Sequence, residues 1–302
     1  MNNNTLLEKH STDFVNKWSD IIADVFKWEK ENNFFCIPNL TRTSYTYSYL
    51  PLLSYTDISV DKAKTLSNVL SENKKHIVRC ISQEKDKKSS ANEPVVMRLN
   101  LKGLSKDDVW NKKLDSYCRN RIRKSFQQDY EIRKGNDNAL LKDAYSVFLK
   151  IMHRLGTPAW PFSLLEKLAE SGLAQVYVVY KNNKPVSMLV LISDHNIAWV
   201  PWCGAIASEM PFCPNYLSHW EAIQDSIEQG STIFDFGRSP FGGGTYRFKK
   251  KWGAEPCPLE YISNLDSNLY SKYKIISELW KLMPAFFVNL IGPKICRYLP
   301  EL

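Results

Sequence analysis

The chain has 302 residues, of which 44% are apolar, and this supplies cores for one large domain or two of ordinary size. Forty Lys and Arg residues against 32 Asp and Glu residues give a formal charge of +8. That charge indicates an anionic partner: nucleic acid, a nucleotide-linked sugar, a lipid pyrophosphate or an anionic membrane. The seven scattered cysteines include no C-x-x-C pair, which argues against a disulfide framework and a zinc site. Without a signal-peptide pattern or a membrane-spanning apolar run, the sequence predicts a cytoplasmic protein.

The first half of the chain predicts helices and strands in alternation. In chain order these are a helix over 6–30, an alternating segment over 44–54, a helix over 57–73, and strands over 76–82 and 95–101 around an exposed loop over 83–93. A capping-box pattern at Ser105 and Asp108 then begins a long basic helix that ends near residue 128. We expect a domain boundary near this helix.

The second half gives clearer periodic signals. The predicted elements are helices over 140–155, 162–170 and 215–229, and strands over 174–180, 186–193, 197–203, 232–236 and 259–262, with turns at 182–184 and 194–196. This order predicts an α/β (mixed α+β) fold, in which a mixed sheet carries helices on both faces. The tail over 275–299 mixes apolar and basic residues, and we expect short amphipathic helices that either lie on an anionic inner membrane leaflet or pack onto the domain.

The densest chemistry lies in residues 234–253, which hold one carboxylate, five cations and three consecutive glycines. The glycines follow a predicted buried strand, and Thr245 is in position to cap a short helix. A helix N-terminus behind a glycine turn favours a phosphate or carboxylate. We therefore predict a phosphate or donor loop at Gly242, Gly243, Gly244 and Thr245.

Asp235 stands at the end of the predicted strand, and we expect it to bind a substrate amine or hydroxyl, or to act as general base. The alternative is a structural acid that caps the next loop. Cationic and aromatic residues around it form a predicted anion clamp, and these are Arg238, Tyr246, Arg247, Lys249 and Lys250. On a helix Lys249 lies beside Tyr246, whereas Lys250 lies beside Arg247, so only one pair can face the site.

The same segment resembles the C-terminal signature of the Fem family, the acyltransferases that build peptidoglycan cross-bridges. Further matching motifs are LGTP at 155–158, the basic run RNRIRKS at 119–125, Pro214-Asn215 opening a helix with His219-Trp220, and the tail motif LWKLMPAFFVNLIGPKICRYLP. The five motifs occur in the expected order, and the similarity is strongest to the FemAB-related branch associated with exosortase and exopolysaccharide systems. The resemblance implies that Lys249 contacts the acceptor's phosphate or the reacting centre.

The Fem resemblance implies two tandem modules of the GNAT (N-acetyltransferase) fold. The predicted divisions are an N-terminal module over 1–104, a basic linking helix over 105–128, a C-terminal acyltransferase module over 129–265 and amphipathic helices over 266–302. The helix at 105–128 carries Arg119, Arg121, Arg123 and Lys124, which form a solvated surface or, in a Fem-like enzyme, meet tRNA or a polyprenyl pyrophosphate.

Several further residues are candidates for substrate binding. His153 and Thr157 surround the LGTP motif, although a histidine at a helix end also interacts favourably with the helix dipole. Asn215 and Tyr216 open a predicted helix. Trp160, Trp199, Trp202 and Tyr216 can line an apolar or sugar-binding groove, with packing in the core as the alternative. The tryptophan Trp252 is expected to end a helix and pack its ring.

The sequence shows neither a G-x-S-x-G elbow nor an evident cysteine and histidine pair, so we expect direct, sequential transfer to an amine. No metal and no tightly bound cofactor is expected. The Fem resemblance implies aminoacyl-tRNA as the donor. Classical acetyltransferases bind the coenzyme A pyrophosphate with a loop of the pattern R/Q-x-x-G-x-G/A. This pattern is not matched here, because three residues separate Arg238 from the glycine triplet. The alternatives are an acyl-CoA-dependent N-acetyltransferase acting on an amino sugar, and a non-catalytic membrane-surface scaffold of an exopolysaccharide system. The oligomeric state is left open.

Overall fold

The computed structural model describes residues 6–31, 34–39, 44–56, 58–70, 74–82, 89–264 and 277–299. The strands in these ranges are β1 (Glu29–Glu31), β2 (Phe34–Pro38), β3 (Tyr45–Ser48), β4 (His76–Ile81), β5 (Pro94–Asn100), β6 (Glu131–Gly135), β7 (Ala174–Lys181), β8 (Lys184–Asp194), β9 (Ile197–Ala205), β10 (Ile233–Pro240) and β11 (Glu255–Ser263). The helices are α1 (Thr12–Phe26), α2 (Val60–Val69), α3 (Lys106–Asp108), α4 (Ser116–Phe126), α5 (Asn138–Leu155), α6 (Phe162–Glu170), α7 (Pro214–Glu228), α8 (Gly244–Lys250) and α9 (Ala285–Ile295).

The strands form one mixed sheet in the order β1-β2-β3-β4-β11-β5-β10-β9-β8-β7-β6. Its neighbours pair antiparallel except for β3 with β4 and β9 with β10. One core packs side chains of α1, α5 and α6 against the sheet, and a second packs α4, α7 and α8 against its other face. The predicted fold class, a mixed sheet with helices on both faces, is confirmed.

A tight turn joins β7 and β8 and sets the register of the residue pairs next to it, before a shift between Tyr180 and Val179. Asn182 and Asn183 both have positive φ, 50° and 59°, which is the backbone of a type I′ hairpin and suits asparagine. Eight residue pairs then join the two strands, from Ala174 with Ile192 to Lys181 with Lys184. Turn chemistry and strand pattern agree here, and the predicted strands match closely.

The predicted long helix over 105–128 is wrong in one respect, because it is broken in the middle. The capping box forms as expected, since Ser105 accepts from the Asp108 N–H and Asp108 accepts from the Ser105 N–H. A π-helical stretch, Val109–Lys113, then ends the first part. Asp115 caps α4 through the Cys118 N–H at 2.6 Å, so a second N-cap signal restarts the helix.

The chain's C-terminal strand β11 lies between β4 and β5, so the sheet runs without interruption through both halves of the sequence. The domain division at residue 105 stays a prediction. Part of the predicted loop over 83–93 and part of the segment over 266–302 lie outside the described residues.

The LGTP motif at 155–158 anchors the C-terminal tail. Gly156 ends α5 with φ 73°, and a side chain there would collide with Ser277 and Lys281. His153 Nε2 lies 3.0 Å from the Met283 carbonyl oxygen and donates to it. Thr157 closes the same turn, since its N–H donates to the Met152 carbonyl. His153 thus contacts the tail and Thr157 closes the turn, and a substrate-binding role of either residue stays a prediction.

Candidate active site

The two parallel strands β9 and β10 are joined over only three residue pairs. Ile197 to Trp199 face Ile233 to Asp235, and beyond these pairs the strands separate. β9 continues along β8 to Ala205, while β10 continues along β5 to Pro240. The sheet therefore opens into a cleft at the carboxyl ends of two parallel strands, where open α/β sheets bind ligands. We call this opening the β9–β10 cleft.

A bulge in each strand explains the opening. Between Trp199 and Trp202, β9 has one residue more than the facing stretch of β8 between Val190 and Ile192. β10 likewise has an extra residue between Asp235 and Arg238, opposite β5. Gly237 lies in this second bulge with φ 73°, in the left-handed region that favours glycine. Bulges bend the bulged strand and increase its twist, so the two strands diverge at the same level.

Lys249 of α8 reaches into the cleft. Its Nζ donates to the carbonyl oxygens of Gly237 at 3.1 Å and Arg238 at 2.8 Å, and an ammonium has three N–H donors. One donor thus remains for a ligand. The side chain is half-buried, and desolvation lowers the pKa of Lys249 to about 8, although Cys203 and Asp235 oppose that shift. Lys249 is a cation with a reduced proton affinity at the opening of the sheet.

His219 lies beside Lys249 and is buried among Phe236, Phe248 and Trp252, with ring centroids 5.4–5.8 Å away. Its Nδ1 is 2.6 Å from the Asn215 carbonyl oxygen, which can only accept, so Nδ1 carries the proton. Nε2 is left with a free lone pair. Burial and, to a smaller extent, the charge of Lys249 lower the pKa of His219 to about 4. His219 is therefore neutral at pH 7, with Nε2 as a proton acceptor.

Cys203 of β9 completes the group. Its side chain is exposed, yet surrounding protein atoms desolvate it and raise the pKa of its thiol, while Lys249 lowers it. Two buried polar atoms on the same strands, Trp199 Nε1 and Ser239 Oγ, have no hydrogen-bond partner among the described residues. Such atoms commonly mark a place that water or a ligand occupies.

Asp235 lies beneath the cleft rather than in it. The side chain is fully buried and forms an ion pair with the equally buried Arg98, from Nε to Oδ2 at 3.0 Å. Its other oxygen accepts from the Gly237 N–H at 2.7 Å and so holds the bulge. Arg98 also donates to the carbonyl oxygens of Leu6 and Glu8, which ties the N-terminal segment to the sheet. This geometry favours the structural alternative, and a catalytic role of Asp235 stays a prediction.

Helix α8 presents the Tyr246 and Lys249 face inward, with Tyr246 buried against Phe241. Arg247 and Lys250 are exposed. Arg238 is half-buried and lies 3.5 Å from the Tyr261 hydroxyl. Of the predicted anion clamp, Arg238 and Lys249 therefore lie at the cleft, and Arg247 and Lys250 lie on the adjoining surface.

The glycine loop opens α8 as expected, but Thr245 does not cap it. Gly243 is the N-cap and has no side chain to accept a hydrogen bond, so the predicted capping by Thr245 is wrong. Gly242 has φ 74°, and a side chain added there or at Gly244 would meet no atom. Arg247 donates to the Gly242 carbonyl at 2.8 Å. The loop is thus exposed beside a cation, and its role as a phosphate or donor loop stays a prediction.

A small apolar pocket lies between α5, α6 and the strands β8 and β9. Its lining is aromatic and aliphatic: Tyr145, Phe148, Trp160, Pro161, Leu164, Leu165, Met188, Val190 and Trp202. Trp160 and Trp202 thus line one groove as predicted. Trp199 and Tyr216 do not line it, since Trp199 is buried between His10 and Trp18 and Tyr216 stacks on Trp252. The pocket lies on the face of the sheet that α5 and α6 cover, opposite the face that carries α7 and α8.

The basic helix α4 lies beside the first turn of α7. Arg121 is 3.9 Å from the Cys213 sulfur, and Lys124 lies over the Phe212 ring at 5.9 Å. Lys251, which directly follows α8, lies over the ring of Tyr117. Six cations on α4 and α8 or just after α8 form no ion pair with any carboxylate in the described ranges: Arg121, Arg123, Lys124, Arg247, Lys250 and Lys251. A positive surface thus borders the cleft.

Sequence reasoning missed the grouping of Cys203 and His219 with Lys249. The three residues lie on β9, α7 and α8, and no local spacing connects them. The available signal was the helix opened at Pro214, because Asn215 and His219 are four residues apart and therefore share a face.

The fold and the cleft define the class of protein. It is an α/β protein with a mixed sheet, and its cleft lies where two parallel strands separate. Residues 112–250 match the family model described as "Acetyltransferase (GNAT) domain". The chain therefore contains a GNAT domain and is an acyltransferase. No curated protein shows significant similarity to it.

Three solved structures share the fold. FemX is 12% identical with a TM-score of 0.58, covering 81% of this chain and 86% of FemX. A conserved protein of unknown function from Bacteroides thetaiotaomicron is 12% identical with a TM-score of 0.55 and coverages of 86% and 93%. A DUF2156 domain from Agrobacterium fabrum, assigned to a lysylphosphatidylglycerol synthetase, is 11% identical with a TM-score of 0.54 and coverages of 87% and 96%. The resemblance to Fem-like proteins is confirmed, and the link to exosortase systems stays a prediction.

Replacing Gly237 by alanine should slow acyl transfer, because a strained bulge would shift the carbonyl groups that hold Lys249. The left-handed backbone should also cost about 1–2 kcal/mol of stability. Gly103→Ala is the matched control, with φ 70° and open space around it. Urea unfolding and transfer rates of both variants provide the measurement. Equal rates in the two variants would show that the bulge does not position Lys249.

Proposed function

We propose that the protein is an N-acyltransferase that joins an aminoacyl group to an amine of an anionic cell-envelope glycan or peptidoglycan precursor. The observation that carries this proposal is the β9–β10 cleft, with Lys249 and neutral His219 beside it, inside a GNAT domain. The reaction is a direct attack of the amine on the acyl carbonyl, without a covalent enzyme intermediate.

The residues of the cleft can divide the chemistry between them. The amine nitrogen forms a bond to the acyl carbon, and the bond from that carbon to the leaving oxygen or sulfur breaks. His219 Nε2 accepts the proton that the attacking amine must lose. The third N–H of Lys249 donates to the oxygen that becomes negatively charged. The proton returns to the leaving group, so the enzyme ends in its starting state.

The positive surface bordering the cleft supports an anionic substrate. Its six cations lack carboxylate partners among the described residues, whereas Lys134 and Lys181 elsewhere on the C-terminal half pair with Asp225 and Glu209. Unpaired cations attract phosphate groups and release counterions when these bind. Either the phosphates of a nucleotide-linked or lipid-linked acceptor or a tRNA backbone would fit this surface.

The donor has two candidates, each favoured by a different observation. GNAT acetyltransferases take their acyl group from acyl-CoA, so the domain match favours a coenzyme A thioester and acetylation of an amino sugar. The connection between β9 and α7 favours aminoacyl-tRNA instead. Residues 206–213 contain no glycine that would let the backbone approach a pyrophosphate closely, and Pro214 in the first turn of α7 lacks an N–H.

In the test, the purified protein is incubated with radiolabelled aminoacyl-tRNA or acetyl-coenzyme A as donor. The acceptors are a UDP-linked muropeptide and an amino sugar nucleotide, and transfer of the label to each is measured. We expect aminoacyl transfer and salt-sensitive retention of charged tRNA on filters. Arg121→Ala/Lys124→Ala should weaken that retention, while Lys62→Ala/Lys64→Ala on α2 should not. Acetyl transfer with no response to tRNA would establish the second candidate. Absence of transfer from both donors to either acceptor would contradict the proposal.

A further inference from the structure

Five large apolar side chains on the C-terminal tail are exposed to solvent. They are Leu279 (59% exposed), Leu282 (82%), Phe286 (79%), Phe287 (48%) and Leu290 (53%). We call this group the tail patch. Its members lie on the helical residues 277–282 and on α9, on either side of Pro284. Large apolar side chains exposed at neighbouring helical positions mark an interaction site more often than ordinary surface does.

The other face of the tail is packed, so the orientation of the tail patch is fixed. Trp280, Val288 and Cys296 are buried, with at most 5% of each exposed. A side chain at Gly292 would touch both Ala159 and Trp280, which shows how closely the helix approaches the domain. The indole of Trp28 donates to the Arg297 carbonyl at 2.9 Å. The two expectations for the tail thus combine: one face packs onto the domain, and the other faces outward.

The charges around the tail patch are mainly positive. Residues 277–299 hold three cations, Lys281, Lys294 and Arg297, and one acid, Glu278, which Lys281 already neutralises at 2.7 Å. The whole chain carries +8. Exposed Leu and Phe residues beside Lys and Arg residues are typical of helices that lie in the plane of an anionic membrane surface. In the described ranges, no helix is long and apolar enough to cross a bilayer.

We propose that the tail patch docks the protein on an anionic lipid bilayer surface, with its Leu and Phe side chains in the headgroup region and the cations near lipid phosphates. The lipid surface satisfies both the apolar face and its positive charge. This proposal is independent of the donor and acceptor of the acyl transfer.

The experiment is flotation of the full chain with two kinds of vesicle. One contains phosphatidylcholine alone, and the other also contains about one third phosphatidylglycerol, which makes its surface anionic. We expect binding to the anionic vesicles that weakens with salt. Leu282→Ser/Phe286→Ser should weaken this binding by at least about tenfold, because two exposed apolar side chains no longer enter the interface. Val69→Ser, at a 57% exposed position on α2, is the matched control and should bind as the unaltered protein does.

Thermal midpoints of the three proteins show that the variants fold, and light scattering gives their mass in solution. Failure of the unaltered protein to float with anionic vesicles would overturn the proposal. Equal flotation of the double variant would do the same, since another surface would then bind lipid. A dimer that Leu282→Ser/Phe286→Ser converts to a monomer, without any flotation, would assign the patch to a second copy of the chain. Loss of acyl transfer with intact flotation, or the reverse, separates this proposal from the proposed function.

Discussion

Replacing Lys249 by methionine should reduce acyl transfer by about 10²–10³-fold, the loss that follows removal of one donor to a developing oxyanion. Stability should change by less than about 2 kcal/mol, because the variant loses hydrogen bonds to two carbonyl groups but also removes a desolvated charge. Lys250→Met, on the exposed face of the same helix, is the matched control. A collapse of the thermal midpoint in Lys249→Met alone would make Lys249 structural.

The pH dependence provides a second test of Lys249. Its pKa is about 8 in the folded protein and 10.5 as an unperturbed side chain, so the native state binds fewer protons than the unfolded state between these values. The buried charge of Lys249 therefore lowers the free energy of unfolding below pH 8. That free energy increases as the pH rises from 8 toward 10.5, because the native state then loses its proton first. If the ammonium donates to the oxyanion, kcat/KM should fall above about pH 8, and Lys249→Arg should move that fall upward. A rate that increases through pH 8 would instead identify the neutral amine as a base.

Local sequence signals predicted much of this fold because they coincide with tertiary structure. The helix over 162–170 is found with the predicted bounds, and the hairpin at Asn182 and Asn183 fixes the neighbouring strands through its positive φ angles. The break in the basic helix was harder to predict, since the periodicity continues across it. Only Asp115, whose side chain accepts from the third residue of α4, marks the new start.

The cleft itself could not be predicted, because it arises from bulges in two strands that are distant in sequence. Gly237 suggests the end of a strand, and β10 in fact continues through it to Pro240 by means of a positive φ. The partner of Asp235 is Arg98, 137 residues earlier, and no local pattern joins them. Of the residues predicted from sequence, Arg238 and Lys249 therefore lie at the cleft. The grouping of Cys203 and His219 with Lys249 could be identified only from the tertiary structure.

The ion pair between Asp235 and Arg98 leads to the largest expected change in stability. Both side chains are completely buried, and Asp235→Asn would leave the guanidinium without its counter-charge. Breaking such a pair from one side costs about 3–5 kcal/mol, a large part of the 5–15 kcal/mol that holds a typical domain folded. We expect a lower denaturation midpoint in urea and release of the N-terminal segment, because Arg98 also binds the Leu6 and Glu8 carbonyl groups.

The double variant Arg98→Met/Asp235→Asn distinguishes a structural aspartate from a catalytic one. It removes both charges, and the new amide oxygen can still accept from the Gly237 N–H, so part of the lost stability should return even though the hydrogen bonds from Arg98 to the Leu6 and Glu8 carbonyl groups are lost. If Asp235 only holds the bulge, acyl transfer should return together with stability. A double variant that folds as well as the unaltered protein but transfers nothing would restore the hypothesis that Asp235 acts on the substrate. An Asp235→Asn protein with an unchanged midpoint and no activity would support the same conclusion, because the ion pair would then contribute to chemistry rather than to folding.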